Sequence, residues 1–384
     1  MRAATRCVEA NAVDAIASNP SPAGGGRGQG EGLLASLAGL FIASAALAQG
    51  SVPPSYGFDF VTIGAAGNRS MLPSERYYNY NREPWMANVG QVNYEYRISR
   101  TEVTTGQWER FAELAWPQVR GTGVARLQDF QGSFFDTNGE NGQSPNFVLN
   151  TSNGAMPTMP MDMSWRAAAI YCNWLHNGAP TRQQDITADT FARGAYDIST
   201  FRRIDTPNGG FFFDQPQRSP GARYWIPNMN EWTKAVYYDP NRYGPGQEGY
   251  WLYPNSSQTL PTFGPPGSGA GAGYNVGPYP YPVGSYPGSV TPWGLLDAIG
   301  GQREWTETVF DLQLLDGQLA SRGHFYRGSN GSAVGTANEN DDFMLISSQG
   351  YPAGLRIASP MPAPATAGGL LVFIALFGRW RCSM

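Results

Sequence analysis

Cysteine is scarce in this chain, and so is charge. Three cysteines, Cys7, Cys172 and Cys382, stand among 384 residues. Cys7 lies ahead of an apolar run near the start and Cys382 lies at the very end. If both ends are removed, Cys172 is left alone. A lone thiol makes no internal disulfide, so the fold must rest on packing. Charged residues make up 15% of the chain and the formal net charge is −4. No basic stripe is there to neutralise phosphates, which argues against a nucleic-acid partner. Long hydrophobic runs are missing too. Neither apolar segment at the ends reaches the roughly 20 residues that span a bilayer. Glycine (48), proline (30) and aromatic residues (13%) are plentiful. This mixture indicates ordered loops, because disordered chains lack large apolar side chains. One α+β domain with long loops can fill the length.

The two ends read as addresses. Residues 33–48, LLASLAGLFIASAALA, have the length of a signal-peptide core. Ala46-Leu47-Ala48 before Gln49 is a small-x-small pattern, so cleavage is expected between Ala48 and Gln49. Residues 1–48 are then an N-terminal extension and signal peptide; a buried core helix is the competing reading. Residues 360–384 hold a proline-rich stretch, a short apolar run and two closing arginines, Arg379 and Arg381. This layout resembles the PEP-CTERM sorting tail, with the motif carried by Pro362, Ala363 and Pro364. Ala363 stands where that family has an acidic residue. The resemblance implies an exosortase-type sorting protease as partner and only transient membrane contact through the tail. It also implies export to the envelope, surface or extracellular matrix of a Gram-negative bacterium. An ordinary C-terminal hydrophobic helix is the alternative.

Between the ends, residues 58–64 alternate aromatic and β-branched side chains as an opening strand would, and residues 93–103 read as a second strand. Thr104 and Gln107 form a capping box. Trp108, Phe111, Ala112 and Ala115 then share one helical face, and Pro117 is expected to end the helix. A second helix is expected from Ser164, with Trp165, Ala168, Ala169, Cys172 and Leu175 on one face and Asn177-Gly178 as its stop. On this reading Cys172 packs as a small hydrophobe. A third helix starts at Asn228, with Glu231 completing a capping box and Trp232, Ala235 and Val236 buried. Residues 244–288 lack apolar periodicity and read as an extended loop region. More short strands and turns are expected over residues 293–305 and 324–356.

Five segments in this order resemble the formylglycine-generating-enzyme (sulfatase-modifying-factor) family over residues 58–358. The first is Glu102-Val103-Thr104 with Gln107 and Phe111. Pro160 to Trp165 with Ala168, Cys172 and Trp174 is the second. Tyr224-Trp225-Ile226-Pro227 with Glu231, Trp232 and Ala235 is the third. Val283-Gly284-Ser285 and then Leu295 to Trp305, with Asp297, Gly300 and Glu304, make the fourth. Tyr326-Arg327-Gly328-Ser329 and Gly354-Leu355-Arg356 make the fifth. The resemblance implies a C-type-lectin-like α+β fold with short antiparallel strands, about three helices and long ordered loops.

The family's catalytic members use two cysteines near and after the arginine-glycine-glycine-serine strand to bind copper. Between Ser329 and Arg356 this chain has none. The hydroxyls, amides and carboxylates there are hard donors, whereas Cu(I) takes soft thiolates. A related branch uses histidine-rich iron. His176 and His324 are the histidines here, and His176 at a helix end reads as a dipole partner. The resemblance also implies calcium near residue 304. Glu304 is kept and Gly301 replaces an asparagine, so Glu304 and Asp297 are the candidate calcium ligands; a buried, hydrogen-bonded carboxylate is the plainer reading of Glu304. Residues 338–342 could form a calcium loop or a solvated turn.

Three functions remain in competition. The first is a non-catalytic surface or matrix protein whose lectin-like body binds polysaccharide or peptide in an aromatic-lined cleft. Arg327, Ser329, Ser332, Arg356 and Trp305 are the candidate cleft residues. An oxidative modifying enzyme of the formylglycine-generating class, with a remodelled metal site, is the second. The third is a structural coat component.

Overall fold

A computed structural model describes residues 52–75, 89–138, 146–206, 209–273, 281–300, 302–311, 324–329, 342–345 and 353–361. The strands are β1 (Phe60–Ile63), β2 (Tyr96–Ser99), β3 (Phe135–Asn138), β4 (Asn146–Leu149), β5 (Arg202–Thr206), β6 (Gly209–Phe213), β7 (Tyr238–Asp239), β8 (Gly249–Tyr250), β9 (Glu304–Asp311), β10 (His324–Ser329), β11 (Asp342–Leu345) and β12 (Ala358–Pro360). The helices are α1 (Thr105–Val119), α2 (Gln128–Gln131), α3 (Trp165–His176), α4 (Asp189–Ala192) and α5 (Met229–Tyr237). Two antiparallel three-stranded sheets, ordered β1-β2-β12 and β11-β10-β9, are joined by three two-stranded ribbons. The α+β class expected from the sequence is what forms.

The helix starts follow their caps. Thr104 accepts from the Gln107 N–H at 3.3 Å while the Gln107 side chain accepts from the Thr104 N–H at 2.9 Å. Asn228 and Glu231 make the same reciprocal pair at 2.9 and 2.7 Å. Ser164 caps α3 by accepting from Ala167 N–H. Pro117 does not end α1 as expected; it lies inside the last turn, and the helix runs on to Val119. Only one intrahelical donor is missing there, and Arg120 N–H still closes on the Trp116 carbonyl at 3.0 Å.

Helices α1 and α3 pack face to face through Trp108, Phe111, Tyr171 and Trp174, with ring centroids 4.6 to 5.6 Å apart. Residues 165–175 of α3 are buried on every side. Three large indoles of this core find partners for their N–H groups, as buried tryptophan prefers. Trp108 donates to the Phe130 carbonyl at 2.9 Å, Trp165 to Thr306 at 3.1 Å and Trp305 to Met163 at 2.6 Å. Helix α5 is buried more completely than its sequence face suggested, because Thr233 and Lys234 are covered as well. Lys234 reaches the Ala65 carbonyl at 2.9 Å.

Two glycines test the backbone. Gly132 has φ +52°, and a Cβ there would collide with the carbonyl oxygen of Asp162, whose carboxylate is fixed by Ser133. Gly67 has φ +80° with open space around it. Gly132→Ala is expected to destabilise the fold by at least about 3 kcal/mol, and Gly67→Ala by about 1 kcal/mol, on urea unfolding. Equal effects would show that the close approach at Gly132 is not a constraint.

Candidate functional site

Arg356 is fully buried and joins the sequence motifs to one another. Its Nε lies 2.9 and 3.0 Å from the two carboxylate oxygens of Glu304. Its Nη1 donates to the carbonyls of Ser99 (3.3 Å) and Arg100 (2.5 Å), and its Nη2 to that of Leu296 (2.6 Å). Trp232, from α5, donates to Glu304 Oε2 at 2.7 Å. The Arg100 carbonyl also takes the Leu296 N–H at 2.9 Å. Asp297, held at φ +58°, accepts from Gly284 N–H at 2.5 Å and so fixes the Val283-Gly284-Ser285 turn. A parallel bridge sets Glu304 beside Gly354. Met163 exchanges both backbone hydrogen bonds with Ala353, two residues from Leu355. Segments far apart in the chain therefore meet at one guanidinium.

The charges at this hub do not balance. Glu102, Glu304 and Asp297 are all enclosed around Arg356. Glu102 sits 3.7 Å from Arg356 Nη2, an ion pair without a hydrogen bond, and neither of its oxygens has a hydrogen-bond partner. Burial raises the Glu102 carboxyl well above the usual range, against the pull of Arg356. Burial likewise raises Glu304 and Asp297. Burial alone would lower Arg356, but Glu304 and Glu102 hold it above its ordinary value. Three carboxylates and one guanidinium leave a formal charge of about −2 in a poorly solvated place, which protonation or a cation must offset. A cavity of about 20 Å³, lined by Glu102, Asp297 and Gly300, adjoins them. That is room for one water or one ion.

The residues singled out from the sequence fall into three groups. Arg356, Glu304 and Asp297 come together here, and Trp305 stands beside them in the core. Arg356 and Trp305 were expected to line a cleft; they are closed off because their polar atoms are consumed by internal partners. Arg327 and Ser329 lie on β10, where Gly328 pairs with Trp305 and Ser329 with Glu304. Ser332, Ala48, Gln49, Pro362, Ala363 and Pro364 lie outside the described residues, as do residues 338–341. Glu102 was visible only as part of a motif, and nothing in the sequence marked its carboxylate as unpaired. Cys172 is buried in α3, and burial pushes its thiol well up, so it packs as expected. His176 differs from the expectation. Burial, and then Arg223, push its imidazole down, and its Nδ1 accepts from Arg223 N–H at 3.2 Å. It ends α3 as a neutral acceptor rather than as a cation.

A family profile described as the sulfatase-modifying factor enzyme 1-like domain matches residues 60–358. The chain belongs to this family. A search of curated proteins gave no match. Among solved structures, the crystal structure of CarF is similar at 20% identity, covering 80% of this chain and 99% of its own, with a TM-score of 0.41.

This sulfatase-modifying-factor domain holds a second buried ionic cluster that sequence reading missed. Arg218 donates to Glu231 at 2.9 Å, to Glu307 at 2.5 Å and to the Tyr94 hydroxyl at 2.8 Å. Its guanidinium carbon lies over the Trp225 ring, 4.2 Å from the centroid. The capping-box residue Glu231 thus also serves as an ion-pair partner. Burial pushes the Glu307 carboxyl up from 4.5 to about 7, with Arg218 opposing it and Glu231 adding to it.

Two predictions follow from these clusters. Arg356→Met should lower stability by about 3–5 kcal/mol in urea, and Arg356→Lys should recover less than half, because an ammonium cannot span the same acceptors. A neutral result would mean that the hub is not structural. Glu307 binds its proton more tightly folded than unfolded, so its contribution is full below about pH 4.5 and is lost as pH rises through about 7. Glu307→Gln should therefore flatten the fall in thermal midpoint between pH 5 and 8. An unchanged slope would contradict the raised carboxyl.

Proposed function

We propose that this chain is an exported surface or matrix protein whose sulfatase-modifying-factor domain binds a polysaccharide or peptide without oxidising it. One observation carries the reading: no cysteine lies between Ser329 and Arg356. The family's copper chemistry needs two soft thiolates in that segment. Cys172, enclosed in α3, is not placed to supply one. The residues present do not fit copper, and no oxidative step is assigned to them.

Export is supported by the apolar run of residues 33–48 before Ala48 and Gln49, and by the tail that holds Pro362, Ala363 and Pro364. An exosortase-type protease is the partner this arrangement calls for. Among the described residues, no helix is long and apolar enough to cross a membrane.

Calcium is the cofactor we propose for the Arg356 hub. Glu102 has two unused oxygens and adjoins Asp297 and Gly300 at the small cavity. A divalent cation would cancel the excess of about two negative charges. Among the described residues no three His, Cys, Asp or Glu groups converge as a metal-holding set. Peptide oxygens, such as that of Gly300, would have to complete the six to eight that calcium takes. Glu304 is the weaker ligand, because Arg356 and Trp232 already use its oxygens.

The purified full chain, incubated with copper or iron salts and a cysteine-containing peptide, should consume no more oxygen than the same mixture without protein and should leave no formylglycine in the peptide. Stoichiometric oxygen uptake with modified peptide would replace this reading with the enzymatic one. Calcium at 1 mM against a chelator should raise the thermal midpoint by several degrees, and Glu102→Gln should remove the shift. No shift in the parent chain would end the calcium proposal.

A further inference from the structure

A cavity of about 540 Å³ opens between the start of α5, the middle of β9 and the loop of residues 216–218. That size is within the range of small-molecule pockets, about 300–1,000 Å³. It is separate from the Arg356 hub and shares no lining residue with the small cavity there. Arg218, Glu307, Asn230, Gln217 and Thr308 supply its polar groups.

The polar groups are held in place before any ligand arrives. Asn230 spends its side-chain oxygen on Gly90 N–H at 3.0 Å, which turns its amide N–H groups to other use. Thr308 accepts from Met229 N–H at 2.9 Å and keeps its hydroxyl proton to donate. Glu307 is anchored by the Tyr196 hydroxyl at 2.9 Å and by Arg218 N–H at 3.1 Å. The one cation among the described residues there, Arg218, is already saturated. Both terminal nitrogens of Arg218 are taken by Glu231, Glu307 and Tyr94. A strongly ionic ligand would have to compete with pairs already made, whereas a neutral ligand rich in hydroxyls adds bonds without breaking any. Met229 and Val89 add apolar surface for its carbon faces. Tyr94, 41% exposed and bonded to Arg218, offers a ring close by.

The seven described tryptophans of the core cannot serve as an aromatic cleft. Trp108, Trp116, Trp165, Trp174, Trp225, Trp232 and Trp305 are all buried. Recognition of a glycan at this cavity therefore falls to amides, hydroxyls and a carboxylate, with Tyr94 the ring beside them. On the reading of this chain as a polysaccharide or peptide binder, we propose that this cavity receives one neutral sugar unit of a glycan. Asn230 and Gln217 donate to its hydroxyls and Glu307 accepts from them. A second cavity of about 910 Å³ also has Arg218 in its wall and continues past Trp225 to Met361. It gives the rest of a glycan chain somewhere to lie.

The test uses the full chain and the methyl glycosides of glucose, galactose, mannose and N-acetylglucosamine, followed by saturation-transfer NMR titration. At least one glycoside should bind saturably. Asn230→Asp keeps the acceptor for Gly90 and removes the donors, and Gln217→Ala changes an exposed side chain. Each should weaken that binding about tenfold or more with the thermal midpoint unchanged. Glycoside binding that both variants leave intact would overturn the cavity but keep the glycan-binding reading. Binding of an unmodified tripeptide, displaced by neither glycoside nor variant, would replace the sugar proposal with the peptide one. No binding of any probe would overturn both.

Discussion

The domain is organised around one buried guanidinium. Arg356 bonds Glu304, faces Glu102 and fills the carbonyls of Ser99, Arg100 and Leu296. No hydrophobic residue could replace it, because three enclosed carboxylates would lose their counter-charge and the carbonyls of Ser99, Arg100 and Leu296 would each lose a donor. The loops that make up much of this chain have few regular hydrogen bonds of their own. At Ser99, Arg100 and Leu296 a side chain takes the place of a ladder partner. The cluster also carries an unfinished balance of charge, which is where a cation or a proton must enter.

Local chemistry was the legible part of the sequence. Capping boxes at Thr104 and Asn228, the cap at Ser164 and the apolar faces of α1 and α3 depend on residues three or four apart, and each forms as the spacing indicates. The loop region around residues 244–273 was readable for the same reason, since its glycines and prolines act locally. Pro117 was misleading because a proline in the last turn removes only one donor. His176 was misread because its partner, Arg223, is 47 residues away.

What the sequence could not display was long-range charge. Glu102, Asp297, Glu304 and Arg356 are spread over 254 residues, and only the folded chain makes them neighbours. Glu231 reads as a helix cap and is one, but its meeting with Arg218 and Glu307 depends on tertiary placement. Seven of the described tryptophans, read as material for a binding cleft, proved to be buried in the core. The cavity at the start of α5 is lined by Asn230, Gln217, Thr308, Arg218 and Glu307 instead. The domain thus keeps the fold of its family, while the segment between Ser329 and Arg356 holds no cysteine to supply a thiolate.

The separation of scaffold from oxidative chemistry is tested most directly by Cu(I) titration of the full chain against a chelator of known affinity, with Cys7, Cys172 and Cys382 replaced by serine in a parallel sample. Both samples should leave all copper with the chelator. Withdrawal of one copper per chain by either sample would show that a soft-metal site survives, and the account would fail.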